Sequence, residues 1–243
     1  MTFDQQEFQV RCEWGLRGLK ELAPISDVLI VIDVLSFTSA LEIATSRGGI
    51  VFPYPLKDGA ADYAMTVDAH VASGKRDAGF SLSPASLENL PAGYRLVLPS
   101  PNGAALSFAA DPAVTLASCL RNAAAAGRMA ARLGLTFAVI PAGETWKTGE
   151  LRPSLEDLIG AGAVIDALPG SRSPEAELAA AAFERFRDDL WSSLRKSSSG
   201  KELMERGFER DVELAAQLNV SRNVPRLVNR AFVRSLCVPG KSQ

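Results

Sequence analysis

The chain has 243 residues, is 47% hydrophobic, and carries a net charge of −2 from 26 basic and 28 acidic residues. This length suits one large α/β domain or two small domains. A nearly neutral chain has no general attraction to nucleic acid or to an anionic membrane, so we expect neither partner, and any anion site must be built locally. No apolar run is long enough to span a membrane, and residues 1–6 do not resemble a secretory signal, so we expect a cytoplasmic protein.

Cysteine and histidine are too sparse to provide the chemistry of an active site. Cys12, Cys119 and Cys237 are an odd number, lie far apart and form no CxxC pair, which argues against disulfides and against a zinc site. The single histidine, His70, falls in a stretch that is predicted to be helical (58–71), and we interpret it as a surface residue. Catalysis and metal binding are then left to carboxylates, which favour Mg²⁺ over zinc.

Two strands are predicted near the N-terminus. Residues 8–14 alternate between apolar and polar side chains, the pattern of a strand that is wetted on one face. Residues 28–32 are all apolar and predict a strand that is buried on both faces. Asp33 follows directly, at the position where open α/β sheets bind ligands, so it is a candidate ligand of metal or phosphate. The alternative is that Asp33 only caps the next helix.

Strand and helix patterns then alternate along the chain. Further strands are predicted at 49–52, 94–98, 113–117 and 136–140, and helices at 37–46, 56–71, 102–109, 121–133 and 154–168. This alternation predicts a three-layer α/β/α fold with a largely parallel or mixed central sheet. Helices predicted at 174–193 and 201–217 form a helical C-terminal region of about 174–220. We expect a single domain over residues 1–243.

Other predicted strands also end in polar segments that lead into helices. These segments are Ser100–Ala105, Ser118–Ala123 and Pro141–Glu144. Helix starts offer backbone N–H groups to anions. Ser154 fits an N-cap in front of Glu156 and Asp157, whose usual role in a first turn is to favour the helix dipole. We predict instead that Asp33, Glu156 and Asp157 face one pocket.

Several motifs, taken in order, resemble the 2-phosphosulfolactate phosphatase family. They are Asp33-Val34-Leu35, Gly79-Phe80 with Ser83-Pro84, Asn102-Gly103, Ala142-Gly143, Leu155-Glu156-Asp157 with Ala161-Gly162, and the C-terminal stretches 196–203, 207–221 and 224–225. The resemblance covers roughly residues 8–228. It implies an α/β/α layered fold and a magnesium-dependent phosphatase that removes phosphate from 2-phosphosulfolactate, a step toward coenzyme M. We interpret the C-terminal match as evidence for the fold rather than for chemistry.

The chain departs from the family pattern at several motifs. Ser36 stands where the family usually has arginine, Phe37 where it has a small residue, and Lys75 where it tends to have glutamate. The segments 79–84 and 100–104 also differ from the family pattern. Serine cannot make the bidentate, charge-assisted bonds with which arginine binds phosphate.

A doubly anionic substrate therefore needs another cation near Ser36. Arg76 and Arg121 are the residues we expect there, because both lie beside pocket motifs. Lys75 and Arg152 are the other available cations.

With this resemblance, roles can be predicted for individual residues. Asp33, Glu156 and Asp157 are the expected Mg²⁺ ligands, and Asp33, Asn102 and Asp157 are the expected catalytic residues. The expected substrate-binding residues are Ser36, Thr38, Ser39, Ser83, Gly103 and Arg121. The favoured nucleophile is an activated water, with a phospho-aspartate on Asp33 as the alternative. Leu35 stands where phosphatases with a DxDxT motif have a second aspartate, which disfavours that class.

The substrate is then a small phosphorylated acid. The hypothesis from another class is a non-catalytic, anion-binding relative of the same family. The oligomeric state stays open at this stage, with a homodimer among the options.

Overall fold

A computed structural model describes residues 4–56, 58–110 and 114–237. The strands are β1 (Val10–Cys12), β2 (Val28–Ile32), β3 (Ile50–Tyr54), β4 (His70–Val71), β5 (Arg95–Pro99), β6 (Val114–Ser118), β7 (Phe137–Pro141), β8 (Glu144–Thr145), β9 (Leu151–Arg152), β10 (Arg226–Val228) and β11 (Ala231–Val233). The α-helices are α1 (Gly15–Leu22), α2 (Phe37–Ser46), α3 (Ala60–Thr66), α4 (Gly103–Ala109), α5 (Ala123–Leu133), α6 (Leu155–Ile165), α7 (Pro174–Phe186), α8 (Leu190–Lys196), α9 (Ser198–Glu205) and α10 (Glu209–Ala215).

The main sheet has nine strands in the order β1-β7-β2-β6-β10-β11-β3-β5-β4. Strands β1, β7, β2 and β6 are parallel to one another, and β3, β5 and β4 form a second parallel group. The antiparallel hairpin β10–β11 joins the two groups and pairs antiparallel with β6 and with β3. The sheet is therefore mixed, as expected, and β8–β9 form a separate ribbon.

The side chains of β2 show that helices cover both faces of the sheet. Val28, Ile30 and Ile32 pack in a cluster with residues of α5 and α6. Leu29 and Val31 pack in a different cluster with residues of α1 and α4. Because successive strand residues point to opposite faces, this division confirms the predicted three-layer arrangement and a strand that is buried on both sides.

The first predicted strand is shorter and more deeply buried than its sequence pattern indicates. Only Val10–Cys12 is extended in the sheet, and all three residues are buried. Arg11 is 3% exposed. Its guanidinium donates to the carbonyls of Gln5, Phe8 and Ile25, so that hydrogen bonds replace the water that we expected on this face.

The helix predicted over 56–71 is wrong at its C-terminal end. Helix α3 ends at Thr66, Asp68 follows with φ 48°, and His70 and Val71 form β4 at the edge of the sheet. The apolar and small residues of this segment suit either structure, and pairing with β5 decides between them. His70 is exposed and stacks on Tyr94, with ring centroids 5.0 Å apart, which confirms that it is a surface residue.

The C-terminal part is helical as expected, but it is divided into more helices. A 3₁₀ turn separates α7 from α8, and Gly207, at φ 81°, follows α9 and separates it from α10. Residues 198–200, which lie between the two predicted helices, belong to α9, and Ser197 before them accepts a hydrogen bond from the Gly200 N–H.

The hairpin β10–β11 was not predicted, because its strands are only three residues long and lie beyond the helical region. The expected start of the strand at Ala113 lies outside the described residues. None of the helices in the described ranges is long and apolar enough to cross a bilayer.

Candidate active site

A cavity of about 200 Å³ is lined by residues that follow β2, β5 and β7 and by residues of α9. Polar side chains that line it are Asp33, Ser36, Arg76, Ser100, Asn102, Glu144, Ser199, Glu202 and Arg206. The predicted convergence of strand ends is therefore present for the ends of β2, β5 and β7. Asp33, Ser36 and Asn102 are the predicted site residues that reach this cavity.

Asp33 is held at the end of β2 by two backbone N–H groups. One carboxylate oxygen accepts from the Phe37 N–H at 3.0 Å, and the other accepts from the Gly103 N–H at 2.8 Å. Asp33 is 4% exposed, and burial raises its pKa. The two N–H groups oppose this rise, whereas the negative charge of Glu156 adds to it. Asp33 therefore caps α2, as in the alternative interpretation, and also faces the cavity.

Gly103 allows α4 to approach Asp33 this closely. A Cβ atom at this position would lie 2.6 Å from Cδ1 of Phe37 and 2.7 Å from Oδ2 of Asp33. The Gly103 N–H donates to Asp33, so Gly103 orients the carboxylate. The prediction that this N–H binds a phosphate oxygen is corrected in this respect.

The hydroxyls of Thr38 and Ser39, predicted as phosphate ligands, are instead used within the turn between β2 and α2. Thr38 Oγ1 donates to the Asp33 carbonyl at 2.7 Å, and Ser39 Oγ donates to the Val34 carbonyl at 2.7 Å. Both residues are fully buried. Because each hydroxyl has only one proton to donate, neither is left to bind substrate.

Asp157 occupies a structural position beside Asp33. Its carboxylate accepts from the Val34 N–H at 2.7 Å, from the Gly143 N–H at 2.9 Å and from Ser154 Oγ at 2.9 Å. These bonds connect the ends of β2 and β7 to the start of α6. Burial raises the pKa of Asp157 well above its ordinary value, and Asp33 and Glu156 raise it further. Asp157 does not line the cavity, so its side chain is not placed to contact a metal ion or substrate bound there.

Glu156 is 2% exposed and acts on the same cluster through its charge, raising the pKa values of Asp33, Asp157 and Glu144. Asp33, Glu156 and Asp157 are therefore close together, as predicted, but only Asp33 lines the cavity. Within residues 4–56, 58–110 and 114–237, no group of three Asp, Glu, His or Cys side chains is arranged to hold a metal ion. The predicted three-carboxylate metal site is corrected accordingly.

Glu144 is the functional candidate that sequence reasoning missed. It follows β7, lines the cavity, and accepts a hydrogen bond from Asn102 Nδ2 at 2.9 Å. Burial, and next the charge of Asp33, raise its pKa to about 7. The signal was present in the sequence, since Glu144 is the charged residue of the polar segment after β7. Asn102 lines the cavity and positions this glutamate, and its predicted catalytic role stays a prediction.

Arg76 provides the cation beside Ser36. Its Nη2 donates to Ser36 Oγ at 3.0 Å, and its Nη1 lies 2.9 Å from Oδ2 of Asp211. Asp211 also accepts from Ser83 Oγ at 2.5 Å and from the Ala85 N–H at 3.0 Å. Ser83 therefore supports Arg76 through Asp211 and does not itself line the cavity. Of the two arginines expected near Ser36, Arg76 is the one found there.

Arg121 lies elsewhere in the molecule. Its Nε is 2.7 Å from Oε2 of Glu42, on α2, and its Nη1 donates to Gln217 and to the Leu214 carbonyl. Glu42 is only 1% exposed, so Arg121 is needed to neutralise a buried charge. The prediction of Arg121 as a substrate-binding residue is corrected for this reason.

The C-terminal helices contribute to the cavity, which corrects our view that this region concerns only the fold. Ser199, Glu202 and Leu203 of α9, followed by Arg206, line it. Arg206 donates to Glu202 Oε1 at 2.9 Å and lies over the Phe208 ring, as Arg76 also does. The cavity thus has carboxylates after β2 and β7, and it has two arginines and Glu202 from other segments. This arrangement suits an anionic ligand together with a cation.

The three cysteines do not offer an alternative nucleophile. Cys12, Cys119 and Cys237 are free and buried. Burial raises the pKa of Cys119 to about 12, and it raises the pKa of Cys12 as well. A reactive cysteine needs a lowered pKa to form the thiolate. The chemistry of this site therefore rests on carboxylates and arginines.

Comparison with known proteins gives the same family as the motifs. A sequence model of the 2-phosphosulpholactate phosphatase family matches residues 18–230. The chain belongs to the 2-phosphosulfolactate phosphatase family. It is 30% identical over 207 residues to a probable 2-phosphosulfolactate phosphatase of Carboxydothermus hydrogenoformans, covering 81% of this chain and 84% of that protein.

Two further relatives have similar coverage. A 2-phosphosulfolactate phosphatase of Methanothermobacter thermautotrophicus is 29% identical over 208 residues, covering 82% of this chain and 86% of the relative. A probable 2-phosphosulfolactate phosphatase of Deinococcus radiodurans is 30% identical over 216 residues, covering 83% and 88%. The range matched by the family model, residues 18–230, includes the strand-end segments and the C-terminal helix that line the cavity.

Proposed function

We propose that this chain is a phosphatase that hydrolyses a small phosphorylated acid in a magnesium-dependent reaction. The observation that carries the proposal is the cavity itself, in which Asp33 and Glu144 face a ligand space shared with Arg76 and Arg206. No Lys, Arg or His of the described residues forms an ion pair with Asp33, Glu144, Glu156 or Asp157. An unpaired, buried acidic cluster is costly unless a ligand compensates for its charge.

The residues present fit a magnesium ion. Mg²⁺ is usually held by only one or two protein carboxylates, with substrate phosphate and water completing its coordination. Asp33 and Glu144 are the carboxylates on the cavity wall that would hold it. Burial, and after it the negative charge of neighbouring acids, raises the pKa values of both residues, and a divalent cation would offset the contribution of those charges. When bound, the ion neutralises charge on the phosphoryl oxygens.

The other residues bind and orient the substrate. Arg76 is fixed by Asp211 and Ser36, and its guanidinium has five N–H donors, so some remain to bind phosphate or a second anionic group. Arg206 adds positive charge on the same side. Asn102 holds Glu144 in place.

We favour water as the nucleophile. Both oxygens of Asp33 accept backbone hydrogen bonds, which stabilises the carboxylate and makes it a poorer attacking group. A phospho-aspartate on Asp33 is the alternative that this bonding pattern disfavours.

The second candidate function is a non-catalytic anion-binding protein. The observation that favours it is Ser36, at the position where the family usually has arginine. The hydrogen bond from Arg76 to Ser36 weakens this argument, because it places a guanidinium beside the serine.

Measurement of phosphate release distinguishes a phosphatase from a non-catalytic anion-binding protein. The full chain is assayed on a panel of phosphorylated small acids that includes 2-phosphosulfolactate, with Mg²⁺ and then with EDTA. We expect turnover that EDTA abolishes, and a loss of about 100-fold or more in kcat/KM for Glu144→Gln. Glu88→Gln, a change of a partly exposed glutamate outside the cavity, is the matched control and should stay within about twofold.

A different result would support the second candidate function. Calorimetric binding of inorganic phosphate by a chain that releases none from any substrate, with or without Mg²⁺, would identify an anion-binding relative.

A further inference from the structure

A second, larger cavity adjoins the candidate active site. Its volume is about 560 Å³. It shares Arg76, Leu82, Ser100, Pro101 and Arg206 with the smaller cavity, so the two spaces meet along these residues. The larger cavity lies where the second parallel group of strands ends, since Pro55 and Leu56 follow β3, Ala72 follows β4 and Pro101 follows β5. We call it the apolar groove.

The lining of the apolar groove differs in chemistry from that of the smaller cavity. Away from the shared residues it presents mainly apolar side chains, among them Pro55, Leu56, Val71 and Pro99. Leu56 is 62% exposed and Val71 is 41% exposed. Large apolar side chains that remain exposed beside a polar site are typical of a ligand-binding groove.

The substrate named for the relatives does not account for this groove. 2-Phosphosulfolactate is a three-carbon acid with phosphate, sulfonate and carboxylate groups, and it has no apolar substituent to bury. The smaller cavity, with its carboxylates and two arginines, provides groups of the right charge for such an acid. An apolar surface beside it would remain in contact with water, which is unfavourable.

Resting on the proposed function, we infer that the preferred substrate is a phosphomonoester acid whose carbon skeleton carries an apolar group, and that this group binds in the apolar groove. The phosphate lies in the smaller cavity between Asp33 and Arg76, and the acid group lies near Arg76 and Arg206, where the two cavities meet. The apolar chain or ring then contacts Leu56, Val71 and Leu82. The two cavities are continuous at the arginines. For this reason we assign the groove to the substrate rather than to another occupant.

Two phosphorylated acids that differ only in the apolar group test this inference. The probes are 2-phospholactate and 2-phospho-3-phenyllactate, assayed with the full chain and Mg²⁺. We expect kcat/KM to be about tenfold or more higher for the phenyl compound, because burial of one apolar group discriminates on this scale. Leu56→Asp should remove most of this preference, measured as the ratio of the two kcat/KM values.

Leu178→Asp is the matched control, because Leu178 lies on α7 outside both cavities and is 64% exposed, close to the 62% of Leu56. It should leave the preference unchanged. An equal or lower kcat/KM for the phenyl compound, or a preference that Leu56→Asp does not reduce, would overturn the inference and leave the proposed phosphatase activity standing.

A binding measurement tests the apolar groove even if the chain hydrolyses neither compound. Lactate and 3-phenyllactate are titrated calorimetrically into the protein with inorganic phosphate present. If neither phosphoester is hydrolysed, the proposed function fails. Tighter binding of 3-phenyllactate that Leu56→Asp weakens about tenfold would still support the groove, whereas equal binding of the two acids would refute it.

Discussion

Two buried carboxylates, one before α2 and one in the middle of it, have opposite surroundings. Glu42, in the middle of the helix, is 1% exposed and is paired with Arg121 Nε at 2.7 Å and with Ser221 Oγ at 2.6 Å. Asp33, before the N-terminal end, is 4% exposed and accepts only two backbone N–H groups, while Glu156 raises its pKa. One carboxylate has a cation of its own, whereas the other lies among further acids.

This difference separates a structural acid from a functional one. A buried charge with a complete set of partners stabilises the folded chain only when both members of the pair remain. A buried acidic cluster whose members form no ion pair keeps an unfavourable electrostatic energy, and such clusters concentrate at functional sites. Burial alone does not distinguish Glu42 from Asp33, but their partners do.

The largest expected effect is the loss of activity in Asp33→Asn. The amide removes a charged metal ligand, so kcat/KM for phosphate release with Mg²⁺ should fall by about 1000-fold. Stability should change by only about 1 kcal/mol, because an amide can accept one of the two N–H bonds but no longer repels Glu156. Phosphate release and urea denaturation measure the two effects. Equal activity of variant and wild type would return Asp33 to a purely capping role.

Arg121→Met should have the largest effect on stability. It leaves Glu42 buried without its cation, and we expect a loss of about 3 kcal/mol in the free energy of unfolding. The remaining folded protein should keep wild-type KM, because Arg121 lies away from the cavity. The control is Arg210→Met, which removes surface pairs with Glu88 and Glu213 and should cost less than about 1 kcal/mol. Similar losses in both variants would contradict the structural role of Glu42.

Gly103→Ala tests how far the orientation of Asp33 depends on its backbone partners. The new Cβ would meet Asp33 Oδ2 at 2.7 Å and Phe37 Cδ1 at 2.6 Å, so α4 or the carboxylate must move. We expect stability to fall by about 1–3 kcal/mol and kcat/KM to fall by more than tenfold. Ala109→Ser, at the exposed end of the same helix, should leave both unchanged. An active Gly103→Ala protein would show that the orientation of Asp33 by this N–H group is dispensable.

The smallest effect concerns an exposed acid with backbone donors, Asp27. It accepts from the N–H groups of Leu135 and Thr136 and from Thr136 Oγ1, and these bonds lower its pKa below 3.8. A carboxyl with a lowered pKa in the folded state contributes stability that is complete above its unfolded pKa and is lost as the pH falls through the folded value.

Asp27→Asn should therefore cost under about 1 kcal/mol at pH 7 after solvent screening, and the difference from wild type should shrink below about pH 4. Urea denaturation at pH 7 and at pH 3 measures it, with the exposed Asp58→Asn as the control. A difference that grows on acidification would show that the sign of the pKa shift is wrong.

The local sequence pattern was sufficient to predict the central strand, the helix after it and the position of Asp33. Five apolar residues followed by an acid and hydroxyls predict a buried strand that ends at a binding edge, and the structure contains β2, α2 and the cavity there. The same pattern did not predict the roles of Thr38 and Ser39. Their hydroxyls donate to carbonyls of the turn, and this depends on how closely the chain folds back on itself.

Long-range pairing decided which charged residues reach the cavity. Arg76 and Arg121 look equivalent in the sequence, yet Asp211 holds Arg76 beside Ser36, and Glu42 holds Arg121 elsewhere. Glu144 was missed for the same reason. Asp157 accepts hydrogen bonds from three donors in separate segments, whereas Glu144 lines the cavity.

The layered α/β fold, the buried strand that leads to Asp33 and the family of the chain could all be predicted from the amino-acid sequence, because they depend on local periodicity and on motifs in a fixed order. Long-range packing establishes which carboxylates are paired, which arginines face the cavity, and that the C-terminal helices and the groove beside them complete it. Those outcomes depend on contacts between residues far apart in the chain, and a buried charge acquires its role from the partners that folding brings to it.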